Sequence, residues 1–189
     1  MKYILASKSP RRKELLGQII SNFEIKTAEV DENLPEEIHP REGVEILAVK
    51  KGEAVAKDAP DCLVISSDTL VELSGVALGK PKDEDEAKEM LSALSGKAHN
   101  VHTGVAVHFG GKVFSGVATT AVYFKEMTHE EINDYVASGD PMDKAGSYGI
   151  QSGGGKFVEK IRGDYDTVVG LSVSLVKKLI DEALGNDQG

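Results

Sequence analysis

The chain has 189 residues, 40% of them hydrophobic, and its 22 Lys and Arg against 31 Asp and Glu leave a formal net charge of -9. That is enough apolar material for a substantial core, and the acidic balance makes the long-range field repel nucleic acid polymers and anionic membranes, so any anion site must be local. No apolar run nears the roughly 20 residues of a membrane span, the first residues lack the apolar length of a signal peptide, and the one cysteine, Cys62, reads as a core thiol; together these point to a cytoplasmic protein.

The first element is a short strand at Tyr3 to Ala6, followed by Ser7-Lys8-Ser9-Pro10-Arg11-Arg12-Lys13. Proline is favoured at the first helical position, so a helix starts at Pro10 with Ser9 as its cap. The helix N-terminus and the cations around it can hold a polyanion; a capped helix with solvated charges is the competing reading. Phe23 to Val30 alternates as a strand, and Asp31-Glu32 follows it as two carboxylates that also suit a solvated turn.

Val44, Leu47, Ala48, Lys51 and Val55 have helical spacing over Arg41 to Lys57, with Lys51 in or beside the apolar stripe, where it either snorkels or points its ammonium into a cleft. Cys62 to Ile65 reads as a buried strand ending at Ser66-Ser67-Asp68-Thr69, so Asp68 sits where α/β proteins place ligands, or else caps a turn. Ser74-Gly75 and Gly110-Gly111 signal two hairpins, the first returning to Gly79-Lys80-Pro81. Asp83-x-x-Glu86 and Thr128-x-x-Glu131 open two helices, ended by Gly96 and Gly139. A glycine-rich segment from Asp140 to Gly155, a strand at Phe157 to Ile161 and a helix from Ser172 to Leu184 complete the order, and Gly185 to Gly189, without an apolar side chain, read as a flexible tail.

Cleaving a phosphoanhydride needs cations for the polyphosphate, carboxylates for a divalent metal and a base for water. The cations are Arg11, Arg12, Lys51 and Lys80, the carboxylates are Asp31, Glu32 and Asp68, and Asp68 also serves as base. The histidines lack metal-ligand spacing, since His99 and His102 face opposite sides of a strand, which argues against zinc. The loop Lys144 to Gly155 fits neither the Walker A nor the dinucleotide pattern; its glycines allow close approach to a flat ligand, and Gln151 offers a donor and an acceptor for a base edge, with a mobile surface loop as the alternative.

The ordered set Ala6-Ser7-Lys8-Ser9-Pro10-Arg11-Arg12, Val30-Asp31-Glu32, Ser67-Asp68-Thr69, Gly79-Lys80-Pro81, Asp143 to Gln151 and Val168-Val169-Gly170-Leu171 resembles the Maf family of nucleoside triphosphate pyrophosphatases across nearly the whole chain. The resemblance implies an α/β fold with a long mixed β-sheet flanked by helices, like the inosine triphosphate pyrophosphatases. It further implies a single two-lobed domain over 1–184 with a central cleft, residues 185–189 being the tail, and a cytoplasmic homodimer. It makes Asp68 the proton acceptor, puts Ser7, Arg12, Lys51 and Lys80 around the phosphates, and pairs Glu32 with Asp68 on a divalent metal, Mg2+ with Mn2+ as the alternative.

Arg11, Thr69 and Gln151 are the implied specificity positions; Arg, Thr and Gln there match the dTTP and UTP hydrolase branch, whereas the 7-methyl-GTP branch has Trp, Gln and Glu. Ser67 stands where Ala is common, and Ser172 where Pro is usual. The expected activity is hydrolysis of dTTP and UTP, with modified pyrimidine nucleotides as further substrates, to the monophosphate and pyrophosphate. A nucleotide-binding regulator of cell division and septum formation is the alternative from another class.

Overall fold

The structure, a computed structural model, describes residues 1–185. Its elements in chain order are β1 (Lys2–Leu5), α1 (Pro10–Gly17), β2 (Glu24–Ile25), α2 (Pro40–Ala56), β3 (Cys62–Leu73), β4 (Val76–Leu78), α3 (Glu84–Leu94), β5 (Ala98–Phe109), β6 (Lys112–Phe124), α4 (His129–Ala137), β7 (Val158–Arg162), α5 (Tyr165–Val169) and α6 (Val173–Leu184). The strands form one mixed seven-stranded sheet in the order β2-β1-β3-β5-β6-β7, with β4 on β3. β1 runs parallel to β2 and β3, whereas β3–β4 and β6–β7 are antiparallel. The class is therefore α/β with flanking helices, as expected.

The chain divides into two compact units, one of Met1–Thr69, Thr103–Ala118 and the stretch from Gly170, the other of Leu70–His102 and Thr119–Val169. In the first unit α2 controls the geometry. Its cap is His39, whose Nδ1 accepts from the Arg41 N–H at 3.2 Å, so Pro40 fills the first helical position and the helix starts one residue before the expected Arg41. Its buried face is Val44, Leu47, Ala48, Gly52 and Val55.

That face lies hard against β5 and β3. A Cβ on Gly104 of β5 would collide with the Val44 carbonyl oxygen, and one on Gly52 would come within 2.5 Å of the His108 ring and of Ser66 Oγ. Ser66 Oγ donates to the Ala48 carbonyl at 2.6 Å, tying helix to strand. A cluster of Ile4, Ala6, Val55, Ala59 and Val64 fills the space nearby, and Cys62 packs at its edge half-buried rather than as the full core thiol expected. Among the described residues no helix is long and apolar enough to cross a membrane.

The second unit has the larger core cluster, with Leu91, Leu94, Val101, Phe124, Ile132, Val136 and Phe157 among its members. Thr128 and Glu131 form the full reciprocal cap of α4. On α3 only half of the expected box forms: Asp83 accepts from the Glu86 N–H at 2.8 Å, but the Glu86 carboxylate accepts from the Lys82 N–H, one residue outside. His99 packs edge-on to Phe124 and Tyr148, at ring separations of 5.0 and 5.4 Å. It and His102 use opposite sides of β5, as the strand period requires: His99 meets Tyr148, and His102 meets Glu72 and Thr119.

Both hairpins turn where the glycines indicate, Ser74 and Gly75 at φ 51° and 83°, Gly110 and Gly111 at φ 58° and 75°. Three expectations are corrected. The strand expected at Phe23 to Val30 shrinks to Glu24–Ile25, because its only neighbour, β1, ends at Leu5 and leaves the following residues no backbone to pair with; Ile25 is 42% exposed. The strand expected to end at Ser66 continues to Leu73, since Ser66 and Ser67 direct their hydroxyls to buried carbonyls instead of capping, so Asp68 lies mid-strand. The strand expected at Phe157 is β7, one residue later, and α5 had no anticipated counterpart. Ser172 caps α6 as expected, and Gly185 closes it at φ 69°; the rest of the expected tail, 186–189, lies outside the described residues.

Two stability predictions follow from this packing. Gly104→Ala forces a Cβ onto a backbone oxygen that cannot rotate away, an overpacking that costs about 1–3 kcal/mol; a urea midpoint unchanged from wild type would contradict the close approach of α2. Burial lowers the His99 imidazole from 6.5 to about 4. The unfolded chain therefore binds the extra proton first, and stability present above pH 6.5 is lost as pH falls toward 4, by up to about 3 kcal/mol. In His99→Gln that part of the pH slope should disappear from the melting curves, and a slope identical to wild type would refute the assignment.

Candidate functional site

The first turn of α1 is built from its own side chains. Ser9 caps the helix by accepting from the Arg12 N–H at 3.3 Å, and Ser7 Oγ accepts from the Ser9 N–H at 3.2 Å. Arg12 is then held on three sides: Nε donates to the Gly170 carbonyl at 2.8 Å, Nη2 to Thr69 Oγ1 at 3.1 Å, and Nη1 to Ser7 Oγ at 3.4 Å. A guanidinium has five N–H groups, so two remain for a ligand in a fork already fixed in place. Burial lowers the Arg12 pKa while Asp68 opposes the shift, and the group keeps its charge. Arg11 is half-buried and makes no hydrogen bond or ion pair among the described residues, so its charge is uncommitted.

Asp68 follows from strand alternation. Ser66 and Asp68 share the face of β3 that meets α2; Ser66 bonds Ala48, and Asp68, two residues on, meets Lys51, three residues on. Lys51 Nζ lies 2.6 Å from Asp68 Oδ1 and 2.8 Å from Glu32 Oε1, so it neither snorkels nor stands free. The other face of β3 carries Ser67 and Thr69. Ser67 Oγ reaches the carbonyls of Gly104 at 2.8 Å and Gly170 at 3.2 Å, and Thr69 Oγ1 meets Thr103 Oγ1 at 3.0 Å.

The structure separates the two neighbouring carboxylates by role. Asp31 closes a turn, its Oδ1 accepting from the Asn33 backbone at 2.9 Å and side chain at 2.7 Å, whereas Glu32 reaches Lys51. Two carboxylates on one ammonium are a donor set that suits a hard divalent cation, which uses one or two carboxylates and fills its shell with water and phosphate oxygens. Among the described residues no group of three or more His, Cys, Asp or Glu is placed to hold a metal ion, so substrate and water would have to supply the other ligands.

Ser7, Arg11, Arg12, Glu32, Lys51, Asp68 and Thr69 all belong to the first unit; Lys80 and Gln151, both exposed, belong to the second. The segment carrying Gln151 is pinned inside its unit. Asp140 accepts from Tyr135 Oη at 2.5 Å, Ser152 Oγ at 2.7 Å and Lys144 Nζ at 3.1 Å, and Tyr135 Oη accepts from the Gly149 N–H at 3.1 Å. Burial pushes Asp140 up, but the hydrogen bonds from Tyr135, Ser152 and Lys144 outweigh it and hold the carboxyl below its ordinary value. Cβ atoms on Gly153 and Gly154 would press on Tyr135, so these glycines serve internal packing.

Thr103 and the Gly170 carbonyl were not among the residues read from sequence. Both act on Arg12 or Thr69 from segments remote in the chain. The only signal was the motif Val168 to Leu171: Gly170 has φ +135°, a backbone favouring glycine, and it aims the carbonyl that receives both Arg12 and Ser67.

The geometry thus places a guanidinium held by three hydrogen bonds in the same unit as two carboxylates that share one ammonium. Residues 2–183 match the family model described as "Maf-like protein", and the chain belongs to that family. A relative from Bacillus cereus (strain B4264), "dTTP/UTP pyrophosphatase", is 51% identical over 179 residues, 94% of each chain. One of the same description from Bacillus thuringiensis subsp. konkukian (strain 97-27) is also 51% identical, again over 94% of each chain. A more distant likeness, to the structure of the Staphylococcus aureus Ham1 protein, covers 66% of this chain and 72% of that one at TM-score 0.46 and 17% identity.

Arg12→Lys keeps the charge but gives up the fork that Gly170, Thr69 and Ser7 hold. A charge-assisted hydrogen bond contributes roughly 1.5–3 kcal/mol, so calorimetric titration with inorganic tripolyphosphate should show at least about tenfold weaker binding. Equal affinity would mean that charge alone matters there.

Proposed function

We propose that this chain is a nucleoside triphosphate pyrophosphatase that hydrolyses dTTP and UTP, and modified pyrimidine nucleotides of the same shape, between the α and β phosphates. The reading is supported by family membership and by the description of relatives sharing half of its residues. The observation that carries it is the Glu32–Lys51–Asp68 chain within the electrostatic reach of the anchored Arg12. In a protein of net charge -9 this is a local concentration of cations with a basic oxygen beside it.

In this reading Ser7, Arg12, Lys51 and Lys80 bind the phosphates. Arg12 donates from the two N–H groups its anchors leave over, fixing the polyphosphate in one orientation. Asp68 accepts the proton of the attacking water through Oδ2, which has no partner among the described residues. Glu32 and Asp68 would hold the metal, Mg2+ with Mn2+ as the alternative, which when bound supplies charge neutralisation at the phosphate oxygens.

Base choice falls to Arg11, Thr69 and Gln151. The Gln151 amide can donate to a carbonyl and accept from N3–H, a pairing uracil and thymine offer and neutral cytosine does not. Thr69 contributes its small size and the one bonding capacity that Arg12 and Thr103 leave on its hydroxyl. With this reading go a cytoplasmic location and a homodimer, with a dissolved nucleotide rather than a nucleic acid polymer or a membrane as its partner.

The test is product analysis in labelled water. Wild type with dTTP and Mg2+ should yield pyrophosphate and monophosphate, the label on the monophosphate, and Asp68→Asn should fold normally while losing at least about 10²-fold in turnover. Orthophosphate and diphosphate as first products would overturn the assignment, and near-normal turnover in Asp68→Asn would move the base elsewhere.

A further inference from the structure

Lys51 holds an unusual place for a lysine proposed to bind phosphate: its ammonium pairs with the two carboxylates proposed to hold the metal, at 2.6 and 2.8 Å. Only 21% of its side chain is exposed, and Asp68 is 12% exposed, so water screens that contact poorly; Glu32, at 60%, sits on the loop before α2 and is free to adjust. Metal–oxygen bonds of about 2.1 Å place two ligand oxygens on one ion no more than about 4.2 Å apart. The contacts to Nζ are longer, so the same oxygens can close on a metal by a small movement of Glu32. They cannot do so while the ammonium lies between them.

We propose that Lys51 is a built-in counter-ion that occupies the divalent-cation position in the free protein and vacates it only when a polyphosphate draws its ammonium away. This rests on the reading of Glu32 and Asp68 as the metal side of a nucleotide site. Charge bookkeeping supports it. Two carboxylates and one ammonium leave one negative charge, and adding a divalent ion without an anion turns the cluster positive with two cations crowded together. A triphosphate removes that conflict, since it offers Lys51 several oxygens and brings more than enough negative charge. The helix is a fixed mount: Lys51 projects from the face of α2 pinned by the Ser66–Ala48 bond and the close approach at Gly104, so the ammonium moves by its flexible stem while the helix stays in place. Free metal is thereby kept off the carboxylates, and cation and nucleotide bind as a pair.

The experiment measures Mn2+ uptake by nucleotide-free protein from the loss of the free-ion paramagnetic resonance signal. Wild type should bind Mn2+ weakly, Lys51→Met at least tenfold more tightly, and the Lys51→Met, Glu32→Gln double variant should lose that gain. Lys50→Met removes the same charge from the adjacent, exposed position and should behave as wild type. No gain in Lys51→Met, or an equal gain in Lys50→Met, overturns the proposal, the second by showing a general charge effect. Circular dichroism melts establish that each variant is folded, and Lys51→Gln provides a second neutral side chain should the methionine variant not fold. Pyrophosphate release from dTTP by wild type is scored separately. Release without the Mn2+ gain sinks the counter-ion alone, and the gain without release sinks the pyrophosphatase reading alone.

Discussion

The close approach of α2 to β3 and β5, which fixes the distance between Lys51 and Asp68, is the constraint on which the candidate site depends. Placing an ammonium and a carboxylate where each is largely shielded from water is costly unless their geometry is fixed. The fixing is done by packing. Gly104 lets α2 approach until its Val44 carbonyl touches β5, Gly52 admits the His108 ring, and Ser66 bonds the helix backbone from β3. A larger residue at either glycine would lift the helix and stretch the pair. Small residues on the strands and helix thus set a distance that two charged side chains then use.

His108 shows what that close approach costs. Its ring is buried under α2, neither ring nitrogen has a hydrogen-bond partner among the described residues, and burial lowers its pKa with Glu53 opposing. An uncharged imidazole fills the volume that a helix at this spacing leaves, and an unsatisfied polar group is accepted for it. The polar groups of the candidate site are treated otherwise: Ser66, Ser67, Thr69 and Arg12 are all bonded. Satisfaction is concentrated where orientation matters.

Sequence patterns revealed the features whose causes are local. The caps at Ser9, Asp83, Thr128 and Ser172 and the turns at Ser74-Gly75 and Gly110-Gly111 each depend on residues within a few positions, and each formed. What failed depended on neighbours remote in sequence. Nothing in Phe23 to Val30 tells that the partner strand stops at Leu5, and nothing in Ser66-Ser67 tells that carbonyls of Ala48, Gly104 and Gly170 wait to receive two hydroxyls inside a strand. The site divides in the same way. Charged residues announced themselves by type, as Arg12, Lys51 and Asp68 did. Thr103 did not, because a threonine in a strand has no distinguishing pattern, and Gly170 was marked only by the motif Val168 to Leu171, which does not tell where its carbonyl points.

Those unannounced groups decide how Thr69 must be understood. A threonine hydroxyl has one hydrogen and two lone pairs. Arg12 can only donate, so it takes one lone pair, and Thr103 takes either the hydrogen or the second lone pair. One bonding capacity is left for a ligand, and its direction is set by the other two. Thr69 therefore couples any group it touches to the orientation of Arg12: a base that disturbs the hydroxyl would also disturb the fork proposed to hold the phosphates. In the proposed reading, binding of the base and grip on the polyphosphate are then not separable contributions, and substitution at Thr69 should act on both together, because one hydroxyl with a single bonding capacity left over serves both.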